Sequence, residues 1–207
     1  MLPEKQLAAV LRKIAGVPIQ GPFSRAVQLH YLFPKPAPAP DVKPQPLWGL
    51  GSKRFGGRYT PKNSFETIYT AKDMITALAE VQAIVSGHSG PAFTIVSAPW
   101  TIVTIQGFLA STLDLTVEAN VRAIGSSYQE LTGAWRSTPG QAGEPPTHLL
   151  GRLCHGSKRF DGICFPSSKN VPAGVCVAAF PDRLRIRTAM WRSGCRSASS
   201  LRGPMRL

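Results

Sequence analysis

The chain has 207 residues, 43% of them hydrophobic, with a formal net charge of +13, a size that suits one domain around one substantial core. No apolar run is long enough to span a membrane: the richest stretch, residues 92–110, is broken by Pro99, Trp100, Thr104 and Gln106 and reads as core strands. The charge does not by itself make nucleic acid a substrate, because seven arginines and no acidic residue follow from Arg183 onward, leaving +6 for the 182 residues before it.

Glu4, Lys5, Arg12 and Lys13 sit among apolar positions at helical spacing, predicting an amphipathic helix over residues 3–15. That segment lacks the apolar core and cleavage site of a signal peptide, so a cytoplasmic location is expected. Residues 24–33 (SRAVQLHYLF) alternate in part and read as a first strand, carrying Arg25. The proline-dense stretch 34–46 (PKPAPAPDVKPQP) excludes helix and central strand and reads as an extended surface insertion.

Residues 48–61 (WGLGSKRFGGRYTP) are glycine-rich and basic, a loop whose backbone can approach a ligand while cations supply charge; the spacing fits neither a Walker loop nor the dinucleotide fingerprint. Residues 64–70 predict a short strand, and residues 72–86 a helix with a stripe at Met74, Leu78, Val81 and Val85 and Glu80 beside it. Strands are expected over residues 92–96, 101–105 and 108–115, the last ending in LDL. A short helix over 117–124, a loop over 133–146, a helix over 147–155 capped by Thr147, and strands over 162–166 (GICFP) and 174–180 (GVCVAAF) follow. Strands and helices mix without regular βαβ repetition, so the expected class is α+β with a mixed sheet. GSKRF recurs at Gly51 and Gly156, but the flanks differ and no repeat is implied.

Cys154, Cys164, Cys176 and Cys195 are widely spaced without C-x-x-C, which suits reduced, buried thiols; a zinc site of Cys154, His155, Cys164 and Cys176 would lack the tight ligand pairs of structural zinc, and no metal is expected.

Taken in order, several of these pieces resemble the RES-domain family. GGRYTP (56–61), the tyrosine of IYTA and ALAEV (77–81) place Arg58, Tyr69 and Glu80 eleven residues apart; LDL at 113–115 intervenes, and GICFPSSKN (162–170) and GVCVAAFPDRL (174–184) resemble the family's serine-bearing segment. The resemblance covers residues 20–184, leaving an N-terminal helical segment, 1–19, and a basic tail, 185–207. Beyond Leu184 the chain departs from the family pattern, turning arginine- and serine-rich where another alternating stretch is usual.

The resemblance implies a single ADP-ribosyltransferase-like domain that binds NAD⁺ and cleaves its nicotinamide–ribose bond by hydrolysis or phosphorolysis. It also implies a toxin neutralised by a helix-turn-helix-like antitoxin. Cleavage develops positive charge on the sugar, which a carboxylate stabilises; that role falls to Glu80. Arg25 and Arg58 would bind the pyrophosphate through guanidinium forks. Tyr69 would stack on nicotinamide or ribose, with Tyr59 a rival aromatic, and Ser167, with Ser168 its rival, would hydrogen-bond nicotinamide or phosphate.

Blander readings stand beside these: an Arg58–Glu80 ion pair, a core Tyr69, a turn-capping Ser167. Other functions for the chain are a protein mono-ADP-ribosyltransferase using the same residues, a nucleic-acid-binding protein acting through its tail, or an inactive remnant that binds only its antitoxin. A triad hydrolase is disfavoured, since no histidine is tied by motif to a serine.

Overall fold

The computed structural model describes residues 1–33, 44–86, 93–95, 100–136 and 143–184. Residues 34–43 of the proline-dense stretch, residues 92 and 96 of one predicted strand, residues 137–142 of the predicted loop, Cys195 and the basic tail lie outside them.

A seven-stranded mixed sheet runs β1-β7-β8-β9-β3-β2-β6, formed by β1 (Val17–Gln20), β2 (Phe23–Val27), β3 (Ile68–Ala71), β6 (Thr101–Ile105), β7 (Phe108–Asp114), β8 (Gly162–Pro166) and β9 (Val175–Ala179). The pair β7–β8 is parallel and the others antiparallel; β4 (Ile84–Ser86) and β5 (Phe93–Ile95) form a separate hairpin. The helices are α1 (Glu4–Leu11), α2 (Leu50–Phe55), α3 (Met74–Glu80), α4 (Glu118–Ala123), α5 (Tyr128–Thr132) and α6 (Pro146–Gly156). Together these make one α+β domain.

The two central strands are apolar throughout because both faces are covered. Alternation sorts their side chains: Ile163, Phe165, Cys176 and Ala178 join the main core with Leu7, Leu11 and Leu150 from α1 and α6, while Cys164, Val177 and Ala179 join a smaller cluster with Phe23 and Leu109. On the main face Tyr69, Ala178 and Ile163 line up across β3, β9 and β8. Gly151 of α6 packs directly on the main chain, since a Cβ there would lie 1.8 Å from the Tyr59 carbonyl oxygen.

The elements differ from expectation in informative places. The strand expected over 24–33 stops at Val27, and Leu29–Tyr31 turn as a 3-10 segment with Tyr31 N–H bonded to Gln28 O. Gln45 N–H donates to Leu32 O at 2.6 Å, joining the described chain on either side of residues 34–43. Part of the predicted glycine-rich loop is helical, as α2, and β1 and α5 were not foreseen. Thr147 does not cap α6: its hydroxyl is buried without a partner among the described residues, and Pro146 occupies the first turn.

Helix α3 ends at Glu80, six residues short of expectation. Asp73 caps its start, accepting from Thr76 N–H at 2.7 Å and Thr76 Oγ1 at 2.6 Å. Its end is a Schellman motif: Gln82 sits at φ 58°, Gln82 N–H bonds Ala79 O and Ala83 N–H bonds Leu78 O, both at 2.9 Å. Glu80 therefore stands in the last turn, where the helix dipole disfavours an anion.

Candidate functional site

A cleft of about 340 Å³ opens where β2 and β3 meet α3 and the chain following α2; among the described residues Arg25, Arg58 and Glu80 are the charged side chains lining it. Two cations against one carboxylate leave the lining net positive.

Arg58 and Tyr59 form the tip of a tight turn in which Gly57 and Thr60 exchange main-chain hydrogen bonds of 2.9 and 3.1 Å. Their side chains diverge. Arg58 reaches the cleft and holds the end of α5, its Nη1 donating to Leu131 O (2.7 Å) and Gly133 O (2.9 Å) and its Nη2 to Thr132 O (3.4 Å). A cation on the last carbonyls of a helix complements both their lone pairs and the dipole. The blander Arg58–Glu80 ion pair does not form. Tyr59 goes the other way and is fully buried edge-on against Phe165 at 4.8 Å. As a cofactor-binding candidate it is corrected: the apolar ring belongs to the core and does not line the cleft.

Tyr69 lines the cleft, yet its hydroxyl is engaged, accepting from Tyr59 N–H and bonded to Thr60 Oγ1, both at 2.9 Å. Burial pushes its phenol up to about 12. Gly57 permits this contact, because a Cβ there would fall 2.6 Å from the Tyr69 ring. Arg25 donates to Pro46 O and, at 3.0 Å, to Trp48 O; its burial lowers the guanidinium below the usual arginine range. Both arginines thus fasten a chain segment to the wall of the cleft.

Glu80 is fixed on one oxygen. Its Oε1 accepts from Ser167 Oγ at 2.6 Å and from Ser168 N–H at 2.9 Å, whereas Oε2 takes no hydrogen bond among the described residues. Ser167 is 2% exposed and does not line the cleft. Its hydroxyl also accepts from Lys169 N–H (3.1 Å) and Asn170 N–H (2.9 Å), so it caps the turn after β8 while gripping Glu80 and has no capacity left for a ligand. Asn170 Nδ2 donates to Thr76 Oγ1 at 2.8 Å, so this one turn is bonded near both ends of α3. Ser168 contributes its main chain.

The cleft therefore gathers Arg25, Arg58, Tyr69 and Glu80, with Ser167 behind Glu80 and Tyr59 outside. Sequence reasoning missed Trp135, which lines the cleft, and His148, whose Nε2–H donates to Gly57 O at 2.9 Å and whose imidazole burial shifts toward the neutral form. Trp135 stands in a stretch of turn formers and carries no sequence signal; His148 lies on the predicted helix but in no motif. Cys176 also lines the cleft as a buried thiol raised well above its ordinary range, which withholds the nucleophilic thiolate. Cys154, Cys164 and Cys176 are free, and no metal-binding cluster of His, Cys, Asp and Glu occurs among the described residues. No described helix is long and apolar enough to cross a membrane.

The model of the RES domain family matches residues 32–192. The proteins named NAD(+) phosphorylase MbcT from Mycobacterium bovis and Mycobacterium tuberculosis are each 27% identical over 139 residues, 67% of this chain and 69% of theirs. Among solved structures, the crystal structure of the M. tuberculosis MbcT–MbcA toxin–antitoxin complex contains a similar fold, with TM-score 0.60 and 20% identity over 88% of this chain and 86% of that one.

Proposed function

This chain belongs to the RES-domain family, and from that premise we propose that it is an NAD⁺-consuming toxin that breaks the nicotinamide–ribose bond. The observation that carries the reading is the carboxylate of Glu80, fixed through Oε1 by Ser167 and Ser168 in a cleft that Arg25 and Arg58 also line.

The C1′–N bond breaks with its electron pair passing to nicotinamide, which leaves neutral while positive charge spreads over C1′ and the ring oxygen. Glu80 Oε2 faces that charge, and the fixed Oε1 keeps the carboxylate from reorienting as it develops. Arg25 and Arg58 bind the pyrophosphate, and Tyr69 supplies a wall. Ser167 is a positioning residue, acting through Glu80. An incoming oxygen then bonds to C1′. Relatives named as NAD(+) phosphorylases favour inorganic phosphate as its source, giving ADP-ribose 1″-phosphate, with water as the slower acceptor. The scheme uses NAD⁺ as substrate and no metal.

On the same grounds we assign residues 20–184 to an ADP-ribosyltransferase-like domain, preceded by the helical segment 1–19 and followed by the basic tail 185–207. A helix-turn-helix-like antitoxin neutralises the protein in the cytoplasm; likeness in fold to a toxin solved with its antitoxin supports such a partner. Nucleic acid enters only through that antitoxin or the tail.

The test is nicotinamide release from NAD⁺ by the purified protein and by Glu80→Gln at low and high phosphate. Release that depends on Glu80 and rises with phosphate is expected; a folded wild type releasing none overturns the reading.

A further inference from the structure

We propose that Trp135 is the stacking wall for a flat heteroaromatic ring of the dinucleotide, a role that rests on the NAD⁺-consuming reading. Among the described residues three aromatic side chains line the cleft: Tyr69, Phe165 and Trp135. Two are committed elsewhere. The Tyr69 ring lies on Gly57 with its hydroxyl held, and Phe165 is 3% exposed and packed against Tyr59. Trp135 is half-buried.

Its ring is gripped from outside the cleft. The Arg136 guanidinium carbon lies 4.5 Å over the ring centroid, and the His148 ring stands 4.9 Å away at 49°. Trp135 lines the cleft and neither Arg136 nor His148 does, so the contacts that hold the ring leave the cavity beside it unoccupied by either partner. A ring held in advance binds a second ring at small entropic cost.

The same contacts set where that ring stands. His148 donates to Gly57 O in the turn that carries Arg58, and Arg58 in turn holds the carbonyls of Leu131 and Gly133 just before Trp135. Trp135 and Arg58 are thereby locked to one another. A ring platform at a fixed separation from a phosphate-binding guanidinium suits a ligand in which a base and a phosphate are joined through ribose.

NAD⁺ offers two such rings, nicotinamide and adenine, and the shared chemistry is stacking. The test measures nicotinamide release by wild type, Trp135→Ala and Trp135→Phe, each with NAD⁺ and with nicotinamide mononucleotide, which lacks the adenosine half. Trp135→Ala is expected to raise KM for NAD⁺ about tenfold while kcat stays within about threefold, and Trp135→Phe to recover most of the loss. An equal KM penalty on the mononucleotide assigns nicotinamide to Trp135, and a penalty confined to NAD⁺ assigns adenine; both support the proposal. An unchanged KM for NAD⁺ in Trp135→Ala, a loss confined to kcat, or no recovery by phenylalanine overturns it while the NAD⁺ reading stands. A wild type that releases no nicotinamide removes both.

Discussion

Glu80 and Ser167 stand 87 residues apart in the chain and 2.6 Å apart in space. The contact joins the last turn of a helix to the first residue of the turn after β8, and the hydroxyl that makes it is saturated by two main-chain N–H groups of its own turn. The carboxylate's position is therefore set by the end of a central strand as much as by its own helix.

Removing that hydroxyl tests the arrangement. Ser167→Ala takes a donor from a charged acceptor, an interaction of about 1.5–3 kcal/mol. The expected result is a fall in kcat for nicotinamide release of roughly tenfold to a hundredfold with KM for NAD⁺ little changed, because Ser167 does not line the cleft. A rise in KM at constant kcat would mean that the serine touches substrate.

Arg58 makes a different demand, since it holds three carbonyls and lines the cleft together. Lysine keeps the charge but cannot span the carbonyls as a fork. Arg58→Lys should lose about 1–2 kcal/mol in urea unfolding and raise KM for NAD⁺. Full stability with an altered KM would leave the helix cap without weight.

Two glycines of α6 separate packing from propensity. At Gly151 a Cβ meets the Tyr59 carbonyl at 1.8 Å, whereas at Gly156 nothing lies within 4 Å. Gly151→Ala should cost about 3 kcal/mol or more and displace the turn bearing Arg58, while Gly156→Ala should be neutral or gain about 0.5 kcal/mol. Thermal melts of the two variants decide it.

The buried phenol of Tyr69 gives the protein an alkaline limit. Its pKa rises from 10.0 to about 12 on folding, so its contribution is complete below pH 10 and is lost as pH climbs through 12, where the unfolded chain ionises first. Tyr69→Phe should be less stable at neutral pH, losing the acceptor for Tyr59 N–H, and should show a shallower decline between pH 10 and 12. Parallel curves for both proteins across that window would contradict the assignment.

How much could be read in advance depended on whether the signal was local. GICFP matched β8 residue for residue, because an apolar run bounded by glycine and proline has few alternatives. Helix α3 was overrun because its terminator is Gln82, a residue that gives no warning of a left-handed conformation; glycine would have marked the stop. Strand β1, four residues containing a proline at the sheet margin, carries too little pattern to see. Around the cleft, resemblance singles out Arg25, Arg58, Tyr69 and Glu80, with Ser167 behind them, but not that Tyr59 turns into the core beside Arg58. Nor did it indicate that Ser167 works behind the carboxylate. Those are properties of a two-residue turn and of a long-range contact, and only the folded chain brings them about.

The hydrogen bond from Gln45 to Leu32 has an evolutionary corollary. Leu32 and Gln45, thirteen positions apart, are joined by a main-chain hydrogen bond of 2.6 Å, so the two points at which residues 34–43 meet the described chain stand side by side. Each doubling of such an excursion costs only about 0.6 kcal/mol in closure entropy. With its ends already joined, a chain that gains or loses residues between Leu32 and Gln45 carries little added closure cost, and sequence length in that interval is only weakly constrained by it.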